Sequence, residues 1–385
     1  MLLKKALELH KKFRGKIEIA VKVPVKTEKD LALVYTPGVA EVSKEIAKCR
    51  EKVFDYTAKW NTIAIVTDGS RVLGLGNIGA EAALPVMEGK SALFKEYGDV
   101  DAIPICLSTQ DTEKIIETIK YISPVFGGIN LEDIDSPKVF EIREKLKSEL
   151  DIPIFHDDRD GTSIVVLAAL INALKIVGKR LNEISVAIAG AGSAGFGITE
   201  ILLKAGVKNI IVTDSKGIIY RGRKEGMNKY KEELARTTNP ENKSGTLEEA
   251  MKNSDVFIGV SAISNLINKE MIRKMSSDAI VFALSNPDPE ILPDEALDAG
   301  ARIVATGRSD FPNQVNNLLI FPGIFRGILD VREKEITDNA KIAVANAIAG
   351  LVDENKLNED YILPKVTDKN VAREVAKVVR EFARK

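Results

Sequence analysis

Two adjacent pairs of acids, Glu132-Asp133 and Asp157-Asp158, hold the residue types in this 385-residue chain best suited to grip a hard metal ion. Three carboxylates from two segments, completed by substrate and water, suit Mg2+ or Mn2+, which favour oxygen ligands. Most acidic pairs only keep a surface soluble. Asp157-Asp158 differs in following the apolar, strand-like run Ile152 to Phe155, just before a domain boundary where a cleft is expected. His156 adjoins the pair as a further ligand candidate, although a lone histidine beside a strand is more often a hydrogen-bonded structural residue. Cys49 and Cys106, the only cysteines, lie far apart in sequence and give soft-metal ligation no support.

The spacing G-x-G-x-x-G occurs twice, at Gly74, Gly76 and Gly79 and at Gly190, Gly192 and Gly195. Alone the pattern is weak, and context separates the copies. The turn Gly190-Ala191-Gly192-Ser193-Ala194-Gly195 follows the strand-like run Val186 to Ala189 and opens a helix through about Lys204. Its amides would meet a pyrophosphate at the helix N-terminus. Asp214, 24 residues after Gly190, ends the next strand, where an acid pairs with the ribose of NAD. Lys216, Arg221 and Arg223 follow and would neutralise the 2′-phosphate of NADP, or form a solvated basic loop, so NAD and NADP both stay open. The Gly74 copy lacks this context and reads as a structural turn.

The elements behind these residues are those of an α/β protein. In the second half, strand-like runs at 186–189, 209–213, 255–260, 279–284 and 302–305 alternate with helical patterns, the signature of a doubly wound parallel sheet. The first half offers strands at 62–66, 102–107 and 152–155 and helices near 84–97 and 112–121; a further helix is expected over 338–352. The boundary falls near Asp158 to Gly161, giving domains 1–158 and 159–385. Lys+Arg 55 against Asp+Glu 56 leaves a net charge of −1, with no field for nucleic acid or an anionic membrane. The apolar run Ile164 to Leu174 suits a buried helix and is too short to span a bilayer. Two cysteines in so long a chain fit a reducing cytoplasm and buried thiols. Scarce glutamine, at Gln110 and Gln314 only, leans towards a thermophilic source.

Several motifs, in one order along nearly the whole chain, resemble the malic enzymes of the short bacterial and archaeal type. They are YTPGVA (35–40), TDGSRVLGLGNIG (67–79), GKSALF (89–94), LED (131–133), HDDRDGT (156–162), GAGSAG (190–195), ALSNP (283–287) and NNLLIFPG (316–323). The resemblance implies an N-terminal malic-type substrate domain, a C-terminal Rossmann-like domain, and a homodimer. It implies oxidative decarboxylation of L-malate to pyruvate and CO2 with reduction of NAD or NADP.

By the same resemblance Glu132, Asp133 and Asp158 hold the divalent ion, Lys90 is the general base and Asp157 joins its proton network. Tyr35 is the acid that protonates C3 of enolpyruvate, Arg71 clamps a carboxylate, and Asn286 and Asn317 contact substrate and nicotinamide. Gly190, Gly192, Ser193, Ala194, Gly195, Asp214 and Asn286 line the cofactor. Residue types alone allow a snorkelling Lys90, a core Tyr35, a surface-paired Arg71 and turn-capping asparagines. His156 stands where many relatives carry Asn, and the chain is too short for the acyltransferase-like C-terminal domain of some relatives. The rival readings are a malolactic-type enzyme making lactate, a simple 2-hydroxyacid dehydrogenase, which needs no set of metal acids, and a non-catalytic NAD(P)-sensing protein.

Overall fold

The computed structural model describes residues 2–383. Among the described residues, ten strands form two sheets. The first contains β1 (Thr62–Thr67), β2 (Asp101–Cys106), β3 (Gly128–Leu131) and β4 (Ile154–His156), all parallel in the order β2-β1-β3-β4. The second contains β5 (Ser185–Ala189), β6 (Asn209–Asp214), β7 (Gly217–Ile218), β8 (Val256–Gly259), β9 (Ala279–Ala283) and β10 (Ala301–Thr306). Its order is β10-β9-β8-β5-β6-β7, parallel except for β7, which pairs antiparallel with β6. Strand order reverses between β5 and β8, the switch point at which doubly wound sheets open a crevice for ligands.

The apolar runs become central strands because both faces are covered: β1, β8 and β9 are buried at every residue. β3 escapes a reading for strands. Its run is four residues long, begins at a glycine pair and carries Asn130 at its centre. The backbone at Gly127 lies so close to the Lys59 carbonyl that a Cβ would stand 2.5 Å from it, so the residues that weaken the apolar pattern are required by packing.

Between the sheets runs the helix Thr162–Val177, with Ser163–Leu170 wholly buried. Asp157–Val177 is long and apolar enough to cross a membrane, but most of it is buried inside the protein, against the helices Ser193–Ala205 and Asp338–Gly350. Asn172, its one mid-helix amide, donates to the carbonyls of Ala349 and Ile362 at 2.9 Å each, which satisfies its side-chain nitrogen in an apolar core while Oδ1 stays without a partner. The chain then returns: helices Phe321–Val331 and Lys369–Ala383 pack on each other and on the helix Ala80–Gly98 of the first sheet. Phe94 anchors this return, with ring centroids 4.6 Å from Phe321 and 5.3 Å from Phe325.

The N-terminal part stands apart from this core. Helices Leu2–Phe13, Glu28–Val34 and Val39–Lys48 belong to a stretch in which no residue from 4 to 58 is buried. Both thiols are unpaired, and neither is buried as expected: Cys49 is exposed at the end of this layer and Cys106, on edge strand β2, is half-buried.

Removing the Phe94 ring leaves a cavity at the joint between the first sheet and the C-terminal helices. Phe94→Ala is expected to destabilise by about 3–5 kcal/mol, read as an earlier midpoint in urea denaturation; an unchanged midpoint would show that the joint is not cooperative with the core.

Candidate active site

Four acids converge because two adjacent strands end at one place. β3 runs straight into Glu132 and Asp133, and β4, ending at His156, into Asp157 and Asp158, side by side in the sheet. After β4 the chain makes one π-helical turn, Asp157–Gly161, a wide coil common at functional sites. This turn sorts its acids. Asp160 points to the far side, where Arg143 at 3.1 Å and Lys341 at 2.9 Å hold it well below the usual carboxylate range despite its burial. Asp158 is left lining the cleft, and Asp157 is buried just behind it against Lys90 and Asn317. Asp133 adopts φ +51°, an uncommon left-handed conformation for a non-glycine residue, and its N–H donates to Asp158 Oδ2 at 3.0 Å.

Lys90 reaches this cluster from the buried face of the helix Ala80–Gly98. Its Nζ lies 2.6 Å from Glu132 Oε1, pairs with Asp157 Oδ2, and sits 4.5 Å from the centre of the Phe321 ring. Asn317 donates to the same Asp157 oxygen. Burial opposes a charge on Lys90, yet Asp157 and Glu132 outweigh it and raise the lysine above its ordinary value. Burial pushes Asp157 up to about 6 against the pull of Lys90. Burial, reinforced by Asp158, pushes Asp133 up to about 7, and burial holds Glu132 well above the usual range. Four acids therefore face one cation, a deficit of positive charge in a low-dielectric place.

The chemistry of this donor set fits a divalent cation. Glu132, Asp133 and Asp158 each offer an oxygen within 4.8 Å of the others. Asp133 Oδ2 and Asp157 Oδ1 are buried with no hydrogen-bond partner, as are both ring nitrogens of His156. His156 is fully buried, edge-on to Phe140 at 6.3 Å, with Nε2 3.7 Å from Asp158 Oδ2. That is too long for a direct hydrogen bond and suits a bridging water.

Across the same cleft, of about 500 Å³, lies the glycine turn. Its three glycines do different work. Gly190 has φ +117°, and a Cβ on Gly195 would stand 1.8 Å from the Gly190 carbonyl, so these two fix the tight turn and the close packing. Gly192 instead faces open space, with Ser136 Oγ and an Arg71 guanidinium nitrogen the nearest atoms at 3.5 and 3.7 Å from a Cβ position. Gly192, Ser193 and Ala194 line the cleft together with Arg71, Lys90, Asn286 and Asn317. The second glycine triplet is a turn, as its context implied, and it also joins the two halves: a Cβ on Gly74 would stand 2.3 Å from the Asn286 carbonyl.

Two expected residues do not line this cleft. Tyr35 is 65% exposed on the N-terminal layer and is not among the residues lining this cleft. Asp214 ends β6 as expected, but its carboxylate is already engaged. It accepts from Arg223 through both guanidinium nitrogens, from Lys231 Nζ at 2.7 Å and from the Lys216 N–H at 2.8 Å. Despite partial burial, these donors hold it down at about 2.

One organiser had no signal in the sequence. Glu290 reads as a solvated acid after a proline, yet it is fully buried, accepting from Ser261 N–H and Oγ and from Ser285 N–H and Oγ. It ties together the loops that follow β8 and β9, which supply Ala262, Ser285 and Asn286 to the cleft.

A doubly wound sheet with an open glycine turn, facing a buried lysine among acids, defines an α/β protein of the dinucleotide-binding class. Comparison with known proteins names its family. Residues 14–147 match the model of the malic enzyme N-terminal domain and residues 160–384 that of the malic enzyme NAD-binding domain. The chain is 54% identical to the bifunctional malic/malolactic enzyme of Bacillus subtilis, over 99% of this chain and 93% of that protein. Among solved structures it is similar to the malic enzyme of Pyrococcus horikoshii, with TM-score 0.95 and 52% identity over 100% of this chain and 91% of that one. It is also similar to the NAD-dependent malic enzyme of Thermotoga maritima, with TM-score 0.94 and 50% identity over 97% and 98%. The chain belongs to the malic enzyme family.

The Asp214 cluster yields a pH-dependent stability. Its carboxylate lies near 2 when folded and near ~3.9 when unfolded, so its contribution is complete above about pH 4 and fades as pH falls towards 2. Asp214→Asn is expected to lower the urea midpoint at pH 7 and to narrow that gap by pH 3. A gap that stays constant with pH would mean the charge is not what holds the corner.

Proposed function

We propose that this protein oxidatively decarboxylates L-malate to pyruvate and CO2 with reduction of NAD or NADP. The observation that carries the reading is Lys90, held between Glu132 and Asp157 on one wall of a cleft whose other wall is the open Gly192–Ala194 turn. Glu132, Asp133 and Asp158 would hold Mg2+ or Mn2+, and the turn with Asn286 would hold the dinucleotide. When bound, the cation supplies Lewis acidity at the substrate 2-oxygen and the nicotinamide accepts a hydride.

Arg71, half-exposed at the cleft and facing Gly192, supplies the planar fork that a substrate carboxylate takes. Lys90 removes the hydroxyl proton. In the free protein the acids keep it charged; once they are committed to a cation their field no longer does so, and burial then favours the neutral amine. Asp157, fixed by Asn317, is the partner with which Lys90 exchanges that proton. Protonation of C3 after CO2 leaves requires a further acid, the role that family resemblance gives to Tyr35.

A second product is supported by one finding: the Bacillus subtilis relative is named for malolactic as well as malic activity. Lactate formation from the same cleft is therefore the alternative outcome. The apolar side chains exposed between Leu7 and Val42 support a homodimer, and two unpaired thiols support a cytoplasmic location. The numerous surface ion pairs favour a thermophilic source.

One assay tests the main reading: malate with NAD or NADP, with and without chelator, following NAD(P)H, pyruvate and lactate together. Equal yields of NAD(P)H and pyruvate are expected, abolished by chelation and restored by Mn2+ or Mg2+. Lactate without net NAD(P)H would transfer the assignment to the malolactic reaction. Lys90→Met is expected to lower kcat by about 10²- to 10⁴-fold while dinucleotide affinity stays the same; a variant with full turnover would remove Lys90 from the mechanism.

A further inference from the structure

Asp68, just after β1, is 1% exposed and does not line the cleft, and nothing in the proposed reaction uses it. Its carboxylate is nonetheless fully engaged. Oδ1 accepts from the Ser70 N–H at 3.0 Å and from Ser70 Oγ at 2.6 Å. Oδ2 meets Lys138 Nζ at 2.5 Å, an ion pair set off the line of a hydrogen bond. Lys138 is the first residue of the helix Lys138–Glu149, whose start has no side-chain cap and carries the positive end of the helix dipole. A cation is ill placed there unless a group outside the helix holds it. Asp68 is that group.

The pair joins the two segments that carry one wall of the site. Residues 68–79 follow β1 and bring Arg71; residues 132–137 follow β3 and bring Glu132 and Asp133. Three backbone N–H groups stitch these segments together. Glu132 N–H donates to the Val66 carbonyl at 2.9 Å, Arg71 N–H to the Asp133 carbonyl at 3.1 Å, and Asp135 N–H to Ser70 Oγ at 2.9 Å. The second stitch links the arginine directly to an acid that stands at φ +51°. The third depends on Asp68, which holds Ser70 at both its nitrogen and its hydroxyl. Val72 and Ile134 bury their side chains, while a second cavity, of about 450 Å³, opens against Ser70, Asp135, Ser136 and Lys138. Where that cavity opens, polar links set the spacing of the two segments.

We propose that Lys138 and Asp68 are positioning residues: their ion pair fixes Arg71, the carboxylate clamp, relative to Asp133, a metal acid. Neither lines the cleft, so each acts through the residues it holds. Loss of the pair frees Ser70 and with it the links of Asp135 and Arg71. One substitution then loosens the grip on malate and on the cation together. Lys90 reaches the cleft from the helix Ala80–Gly98 and shares no bond with Asp68, Ser70 or Lys138, so proton transfer is spared. The proposal rests on the malate reading, and metal binding measured without substrate keeps the two separable.

Lys138→Met, Lys138→Arg, Asp68→Asn and the double variant Lys138→Met/Asp68→Asn are compared in the full chain. At saturating Mn2+, Lys138→Met is expected to raise the KM for malate about 10-fold with kcat within about 2-fold, the pattern of lost uniform binding. Without substrate, its Mn2+ affinity, read by electron paramagnetic resonance, is expected to fall about 10-fold, as when an outer partner of a metal ligand is removed. Dinucleotide affinity is expected to stay the same, and Lys138→Arg to keep wild-type values throughout. The double variant removes both charges, so it stays folded even if a lone buried carboxylate unfolds Lys138→Met. Its losses are expected to match those of Asp68→Asn alone, because the pair acts as one unit.

A lower melting temperature with KM and Mn2+ affinity unchanged would overturn the proposal and leave the pair a brace of the fold alone. Losses that add in the double variant would overturn it too. A wild-type protein that binds Mn2+ but does not turn over malate would refute the substrate. In that case weaker Mn2+ binding by Lys138→Met would still uphold the bracing of Asp133.

Discussion

The constraint on which the rest of this structure depends is a charge imbalance. Glu132, Asp133, Asp157 and Asp158 meet in a space shared with one ammonium, Lys90, and burial raises Glu132, Asp133 and Asp157 above their ordinary ranges. Acids left this way in an apolar place are costly, and they persist only where the surrounding fold holds them. Here two adjacent parallel strands end together, a π-helical turn aims two acids inward and a third outward, and Asp133 sits in a left-handed conformation. The local strain and the buried charge are two aspects of one arrangement.

The second wall of the cleft is built on the opposite principle. The glycine turn supplies oriented amides and no charge, and the access it needs comes from what is missing at Gly192. Around it the fixed groups do supporting work. Glu290 ties two loops at the strand ends, Gly74 lets the two halves of the protein touch at Asn286, and the Phe94 cluster carries the C-terminal helices back to the first sheet. Lys90 and Phe321, brought together by that return, are in contact across the joint. The cleft and the domain packing therefore share residues, so the cleft is expected to be a stiff part of the molecule.

Much of this was legible in the chain itself. The glycine turn, the parallel strands β5, β6, β8, β9 and β10, and the acids at 132–133 and 157–158 declare themselves because each depends on local pattern: apolar runs, a strand–turn–helix context, paired carboxylates after a strand. β3 did not, since its glycines and Asn130 answer to neighbours distant in sequence. Glu290 did not, because its burial is decided by two serines on loops that the sheet brings together.

The sequence by itself determined the family, the two-sheet α/β plan and the set of reactive groups, because order along the chain and local periodicity encode these directly. Only the tertiary structure decided their relations. It put Lys90 between Glu132 and Asp157, engaged Asp214 with Arg223 and Lys231, and left Tyr35 outside the cleft of its own chain. The physical reason is that a charge's partner and a side chain's exposure are properties of space, set by how strands are ordered in a sheet and by which surfaces a single chain has enough atoms to cover.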